Sequence, residues 1–181
     1  VDVNANEVNL DPKLVEKKIN KKTKAIIVVH YAGVSCDMTH FLKLKKKYGI
    51  YIIEDAAHSF LSKYKNKFLG TIGDIGAFSF HETKNFVGGQ CGAISINNLK
   101  FKKEVKIILD KGTDRSIIKN NKKYYSWYGI GSEYRATELS SALLFGQLNK
   151  LQKIQNLRKK IWNIYNYNFS KINNKNFYII D

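Results

Sequence analysis

The chain has 181 residues, 44% hydrophobic and 13% aromatic, enough for one domain with a buried core and too few for two ordinary ones. That composition excludes a disordered protein, and no apolar run approaches the ~20 residues of a membrane span. The net charge of +16 invites nucleic acid, but Lys accompanies abundant Asn and Ile, as an AT-rich coding sequence produces; Arg, the preferred clamp for phosphates, occurs only at Arg115, Arg135 and Arg158, so no nucleic-acid partner is expected.

The chain opens Val1-Asp2-Val3-Asn4, with no initiator Met, basic region or apolar leader, and reads as a piece of a longer protein without a signal peptide. Residues 24–30 read as a buried strand, with Ile26, Ile27, Val28 and Val29 forming a continuous β-branched run after Ala25. After a turn at Gly33, Asp37 can cap a helix in which Met38, Phe41, Leu42 and Tyr48 recur at helical spacing, and Gly49 supplies the stop. A second strand over 50–53 completes a strand–helix–strand unit, which implies parallel strands with helices covering a sheet. Short apolar runs at 77–80 and 93–96 read as further strands, and 99–111 as a helix ended at Gly112. Residues 113–134 form a polar, Tyr-rich connection, with a Lys122-Lys123 pair, that has no clear periodicity. From Thr137 a long helical pattern places Leu144, Leu148, Leu151, Leu157, Ile161 and Tyr165 at helical intervals. An amphipathic helix packed on its own domain is favoured over a dimerising coiled coil. Cys36 and Cys91 lack metal-ligand spacing, so no metal is expected and reduced thiols in a cytosolic protein are the default.

Open α/β sheets bind ligands at the carboxyl ends of their strands. With parallel strands, Asp55, His58, Ser79 and Lys84 converge there, a carboxylate, an imidazole, a hydroxyl and an amine around one crevice. Taken singly each has an ordinary explanation: a helix cap, a structural histidine, a hydroxyl satisfying backbone, one lysine among many. Together they support an active-site rim. The glycine-rich stretches 70–76 and 88–92 fit neither the dinucleotide fingerprint nor a G-x-x-x-x-G-K-[ST] phosphate loop, so nicotinamide and ATP are not expected. Close backbone approach is the favoured reason for these glycines.

The run EDAAH at 54–58, followed by GTIGDIGAFSFHETKN at 70–85, resembles the DegT/DnrJ/StrS family of sugar aminotransferases. KAIIVVHYAG at 24–33 and EYRATELSSALLFGQL at 133–148 extend the resemblance through almost the whole chain. It implies an α/β fold, the large domain of a fold-type I aminotransferase: a mainly parallel sheet flanked by helices. Residues 1–148 would be the central part of that domain, its amino-terminal part absent, and 149–181 a long helix leading into a truncated small domain. The implied cofactor is pyridoxal 5'-phosphate. Lys84 would join its aldehyde and later carry the proton, Asp55 would pair with the ring nitrogen, Ser79 would donate to the phosphate, and His58 would lie against the ring. The implied reaction moves an amino group from L-glutamate to a nucleotide-linked keto-sugar in the cytoplasm, within a homodimer that shares its active sites and has no membrane or nucleic-acid partner. The wording FSFHETKN with HYAGVSCDM points to dTDP-4-dehydro-6-deoxy-glucose as the acceptor, for cell-surface polysaccharide synthesis. A 3-keto or UDP-linked sugar, or a non-catalytic fragment of the fold, stays open. Three departures stand out. The helix start that anchors the cofactor phosphate in relatives is missing. Glu133 occupies the Asn position of their G-x-N-Y-R stretch, so that role is not carried over. Gln90-Cys91 replaces the usual Glu-Gly.

Overall fold

A computed structural model describes residues 1–4, 8–117 and 124–172. Asp11 accepts from the Lys13 N–H and, with Pro12 in the first turn, starts helix α1 (Pro12–Lys18). Strand β1 (Ala25–Val29) leads to helix α2 (Met38–Tyr48), where the Asp37 side chain accepts from the His40 N–H. Gly49 ends α2 in the left-handed region at φ 64°, a conformation that spares glycine the Cβ clash. Strand β2 (Tyr51–Asp55) follows and pairs parallel with β1 from Ala25↔Tyr51 to Val29↔Asp55. The expected strand–helix–strand unit is therefore present.

A small hairpin, absent from the sequence reading, comes next: β3 (Lys63–Tyr64) and β4 (Lys67–Phe68), antiparallel. Its two linking residues, Lys65 and Asn66, both have positive φ, 46° and 67°, the backbone of a tight type I′ turn. Strand β5 (Ile75–Ser79) pairs parallel with β2, and β6 (Gly92–Ile96) pairs antiparallel with β5. The sheet order is β1-β2-β5-β6. It is mainly parallel, with one antiparallel edge. Gly76 fills a place that only glycine can occupy, because a Cβ there would coincide with the carbonyl of Gly70. Close backbone approach is thus the reason for at least part of the first glycine-rich stretch.

The core lies on one face of this sheet. Ile26, Val28, Ile50 and Ile52 pack there with Val15 of α1 and Met38, Phe41 and Leu44 of α2. Burial alternates along β1, so Ala25, Ile27 and Val29 on the other face are exposed. A continuous apolar run reads as a strand covered on both sides; among the described residues this one is covered on one side only.

Beyond the sheet, helix α3 (Lys102–Leu109) is entered through a short 3-10 turn and capped at Asp110, and the chain then turns through Lys111 and Gly112 at φ 60° and 77°. The polar connection is held by bridges Thr113↔Trp127 and Asp110↔Glu133, with Asp110, Thr113 and Asp114 buried. The Lys122-Lys123 pair and residues 173–181 lie outside the described residues. The expected single long helix is two: α4 (Glu138–Leu148), capped by Thr137 accepting from the Ser140 N–H, and α5 (Leu151–Phe169). The stripe expected to pack on the domain does so only in part: Leu144, Leu148 and Leu151 are half-buried, whereas Leu157, Ile161 and Tyr165 are 54%, 55% and 59% exposed. Among the described residues no helix is long and apolar enough to cross a membrane.

Candidate active site

Strand alternation places the candidate residues. Asp55 is the last residue of β2 and pairs with Ala77, so both point to the open face of the sheet. Ser79 lies two residues further along β5 on that same face, about 6.6 Å along the strand. No helix follows Asp55, so it is not the helix cap its position suggested; its Oδ1 accepts from the Ala57 N–H at 3.0 Å in a local turn, and its other oxygen has no partner among the described residues. The His58 Nδ1 accepts from the Ala32 N–H at 3.3 Å, and the ring meets Tyr31 edge-on at 5.8 Å. Ser79 Oγ accepts a long bond from the His81 N–H at 3.4 Å. Lys84 sits in the turn after β5, its N–H donating to the His81 carbonyl at 2.9 Å. Its side chain is half-buried and makes no hydrogen bond or ion pair among the described residues.

His58, Ser79 and Lys84 line one cavity of about 680 Å³, whose opposite wall is α5 with Arg158, Lys159 and Trp162. Asp55 does not line it, although its neighbour Ala57 does. The structure therefore brings three of the four expected residues to one cavity, while Asp55 lies outside its lining, on the same sheet face as Ser79. This donor set fits pyridoxal 5'-phosphate: an unpaired amine for an aldehyde, a hydroxyl for a phosphate, and a carboxylate with a free oxygen for a ring nitrogen.

The rim is braced from the buried side. Glu54 points opposite to Asp55 and is fully buried. It accepts from His30 Nε2 at 3.0 Å and from the backbone N–H groups of Gly70, Ile72 and Gly73 at 2.7, 2.6 and 2.5 Å. Burial would raise its pKa, but these donors, His30 first, hold it below its ordinary 4.5. His30 Nδ1 accepts from the Cys36 N–H at 3.1 Å, which leaves the ring proton on Nε2, facing Glu54. The His30 N–H in turn donates to the Asp55 carbonyl at 3.1 Å. One carboxylate thus ties the end of β1, the end of β2 and the loop entering β5. Sequence reasoning quoted both residues inside motifs and gave them no role; the period-2 alternation that separates Glu54 from Asp55 was the available signal. The α5 wall was missed as well. Gln155, Arg158, Lys159 and Trp162 stand at i, i+3, i+4 and i+7, one helix face.

Glu133 is spent locally. It meets Arg135 at 2.9 Å and Lys111 at 3.2 Å, and these cations push its pKa from 4.5 to about 2. Arg135 also reaches the buried Asp110 at 2.9 Å. Cys91 accepts the Phe80 N–H through its carbonyl and donates its thiol to the Gly88 carbonyl at 3.4 Å.

The sequence profile of the DegT/DnrJ/EryC1/StrS aminotransferase family matches residues 1–179. GDP-perosamine synthase of Escherichia coli O157:H7 is 34% identical over 87% of this chain and 42% of that protein. UDP-4-amino-4,6-dideoxy-N-acetyl-beta-L-altrosamine transaminase of Campylobacter jejuni is 32% identical over 92% of the chain and 44% of that protein. Among solved structures, Helicobacter pylori PseC, an aminotransferase involved in the biosynthesis of pseudoaminic acid, superposes with a TM-score of 0.85 at 30% identity. That superposition covers 95% of this chain and 45% of PseC. The chain spans less than half the length of the curated relatives it matches.

Proposed function

Because the chain belongs to the DegT/DnrJ/EryC1/StrS aminotransferase family, we propose that it carries the lysine-bearing rim of a pyridoxal 5'-phosphate-dependent enzyme. That enzyme transfers an amino group from L-glutamate to a nucleotide-linked keto-sugar. The observation that carries this reading is the unpaired Lys84 sharing one cavity with Ser79 and His58 at the carboxyl end of β5. When bound, pyridoxal 5'-phosphate supplies an aldehyde for amines and a ring that draws electrons from the bond being broken. Lys84 Nζ would be the amine that holds that aldehyde, and when free it would move a proton between the donor's Cα and the sugar carbon that receives nitrogen. Asp55 would hold a proton on the ring nitrogen through its free oxygen, Ser79 would donate to the phosphate, and His58, braced by the Ala32 N–H, would lie against the ring.

The acceptor sugar is proposed as a 4-keto-6-deoxy sugar used for cell-surface polysaccharide. The dTDP-linked form comes from the motif wording, whereas the GDP- and UDP-sugar names of two relatives favour those nucleotides as the second reading. Assay of dTDP-, GDP- and UDP-linked 4-keto sugars against a 3-keto sugar separates these. In the whole protein, residues 1–148 would belong to the cofactor-binding domain and the segment from 149 would lead into a smaller one. A cytoplasmic homodimer with shared sites is proposed, testable by sedimentation. The decisive measurement is the absorption spectrum with pyridoxal 5'-phosphate, before and after borohydride. Wild type is expected to show a yellow band that becomes a covalent label on Lys84, and Lys84→Ala is expected to show neither. A label that persists in Lys84→Ala would overturn the assignment.

A further inference from the structure

Helix α5 presents its faces the wrong way round for a helix packed only for stability. Leu157 and Ile161, 54% and 55% exposed, do not line the Lys84 cavity, and of the helix's apolar side chains only Leu151 and Ile154 near its start are half-buried among the described residues. The face it turns inward, to the cavity of Lys84, carries Gln155, Arg158, Lys159 and Trp162. An amphipathic helix ordinarily does the reverse. These four residues span two turns, about 10 Å of one helix side. The described residues lining the cavity include the cations Lys84, Arg158 and Lys159 and no Asp or Glu. Arg158 is held at the lip, because its Nη2 donates to the side-chain oxygen of Asn85, the neighbour of Lys84. Its remaining N–H donors are left for a ligand. Trp162, 61% exposed, leaves an aromatic surface one turn further along.

We propose that this inward face of α5 is the subsite for the diphosphate and base of a nucleotide-linked substrate. The inference rests on the aminotransferase reading above and names the part of the same site that chooses the substrate. Two adjacent cations match a diphosphate, which carries two negative charges that a guanidinium and an ammonium can share. A tryptophan one turn away offers a planar base a stacking surface. A cavity of about 680 Å³ has room for such a molecule beside a bound ring. The carboxylates of an amino donor would also satisfy the cations, but they give Trp162 nothing to stack on.

The test uses the holoenzyme with dTDP, GDP and UDP as probes, each titrated by calorimetry beside its free nucleoside. Arg158→Gln and Lys159→Gln are expected to weaken the preferred diphosphate by roughly tenfold each and to leave the nucleoside unchanged. Trp162→Leu is expected to weaken both, and Lys153→Gln, on the opposite side of α5, neither. KM for the nucleotide sugar should rise in parallel, with kcat within about twofold and KM for L-glutamate unchanged. Each of these side chains is solvent-exposed at its head, so an unchanged thermal midpoint accompanies the result. A raised KM for L-glutamate with diphosphate binding intact would assign the cations to the donor and overturn the proposal. Wild-type binding of none of the three diphosphates, or equal binding by the variants, would overturn it too. Borohydride labelling of Lys84 in the same samples separates the two failures. Labelling without diphosphate effects ends this inference alone, while no labelling in wild type ends the aminotransferase reading.

Discussion

The two faces of the four-stranded sheet are built from the same kinds of residue and meet opposite fates. Val28 and Ile52 on one face are 0% exposed, while Ile27 and Ile94 on the other are 58% and 45% exposed. Helices α1 and α2 account for the difference, since both lie on the first face. Glu54 and Asp55 carry the contrast into the site. They are neighbours in β2, yet Glu54 is consumed by four donors inside the protein and Asp55 keeps one oxygen free on the open face. Stability resides on one side of the sheet and chemistry is offered at the edge of the other.

Substituting those two neighbours should separate the faces most sharply. Asp55→Ala in the holoenzyme is expected to lower turnover on the order of a thousandfold, as removal of a charge-stabilising group does. Its unfolding free energy should stay within about 0.5 kcal/mol, because only one local bond to Ala57 is lost. Glu54→Ala should do the opposite first: about 3 kcal/mol of stability lost, since His30 and three backbone N–H groups are left buried without an acceptor. Urea titration beside a turnover assay measures both. If Asp55→Ala unfolds the protein as readily as Glu54→Ala, the division between faces does not hold.

The apolar layer gives the next test. Phe41→Ala, at a fully buried position of α2, is expected to cost about 3–5 kcal/mol. Ile52→Ala should cost about 2–5 kcal/mol, and Ile27→Ala, one face over, less than about 1 kcal/mol. Comparable losses at Ile27 and Ile52 in this chain would mean that the open face is packed in solution.

What could be read from the sequence follows the reach of the signals. The β1–α2–β2 unit was legible because its boundaries are local: Asp37 caps through its own neighbours and Gly49 adopts a conformation that favours glycine. His58, Ser79 and Lys84 could be placed near one cavity because they stand at or after the ends of apolar runs, but the sequence did not show that Asp55 lies outside its lining. The hairpin β3–β4 was not, because its strands of two residues are too short to show alternation. The break at Asn149 was not, because neither Asn149 nor Lys150 forbids a helix. Periodicity correctly found two faces on α5 but assumed that the apolar one turns inward. The brace from Glu54 was hidden for another reason: its donors are backbone groups sixteen to nineteen residues away, which no side-chain pattern records.

Acid should perturb the covered face most gently and then abruptly. Glu54 is held below its ordinary pKa of 4.5 by His30 and the backbone of the 70–73 loop, against its burial. Asp74 is likewise held below 3.8, against its burial, by Lys45, the Ile52 N–H and Asn98. A carboxyl whose folded pKa is depressed binds protons more readily when unfolded, so its contribution is complete above the unfolded value and is lost as pH falls through the folded one. The unfolding free energy contributed by this pair should therefore be level from pH 7 to about 5 and decline below 4.5. Glu54→Gln should start lower and fall less steeply over that range, having no carboxylate there to protonate. Urea midpoints between pH 7 and 3 measure both curves. If wild type and Glu54→Gln keep parallel slopes below 4.5, the buried carboxylate is not what the acid finds, and the loop at Gly70 is held by something other than its charge.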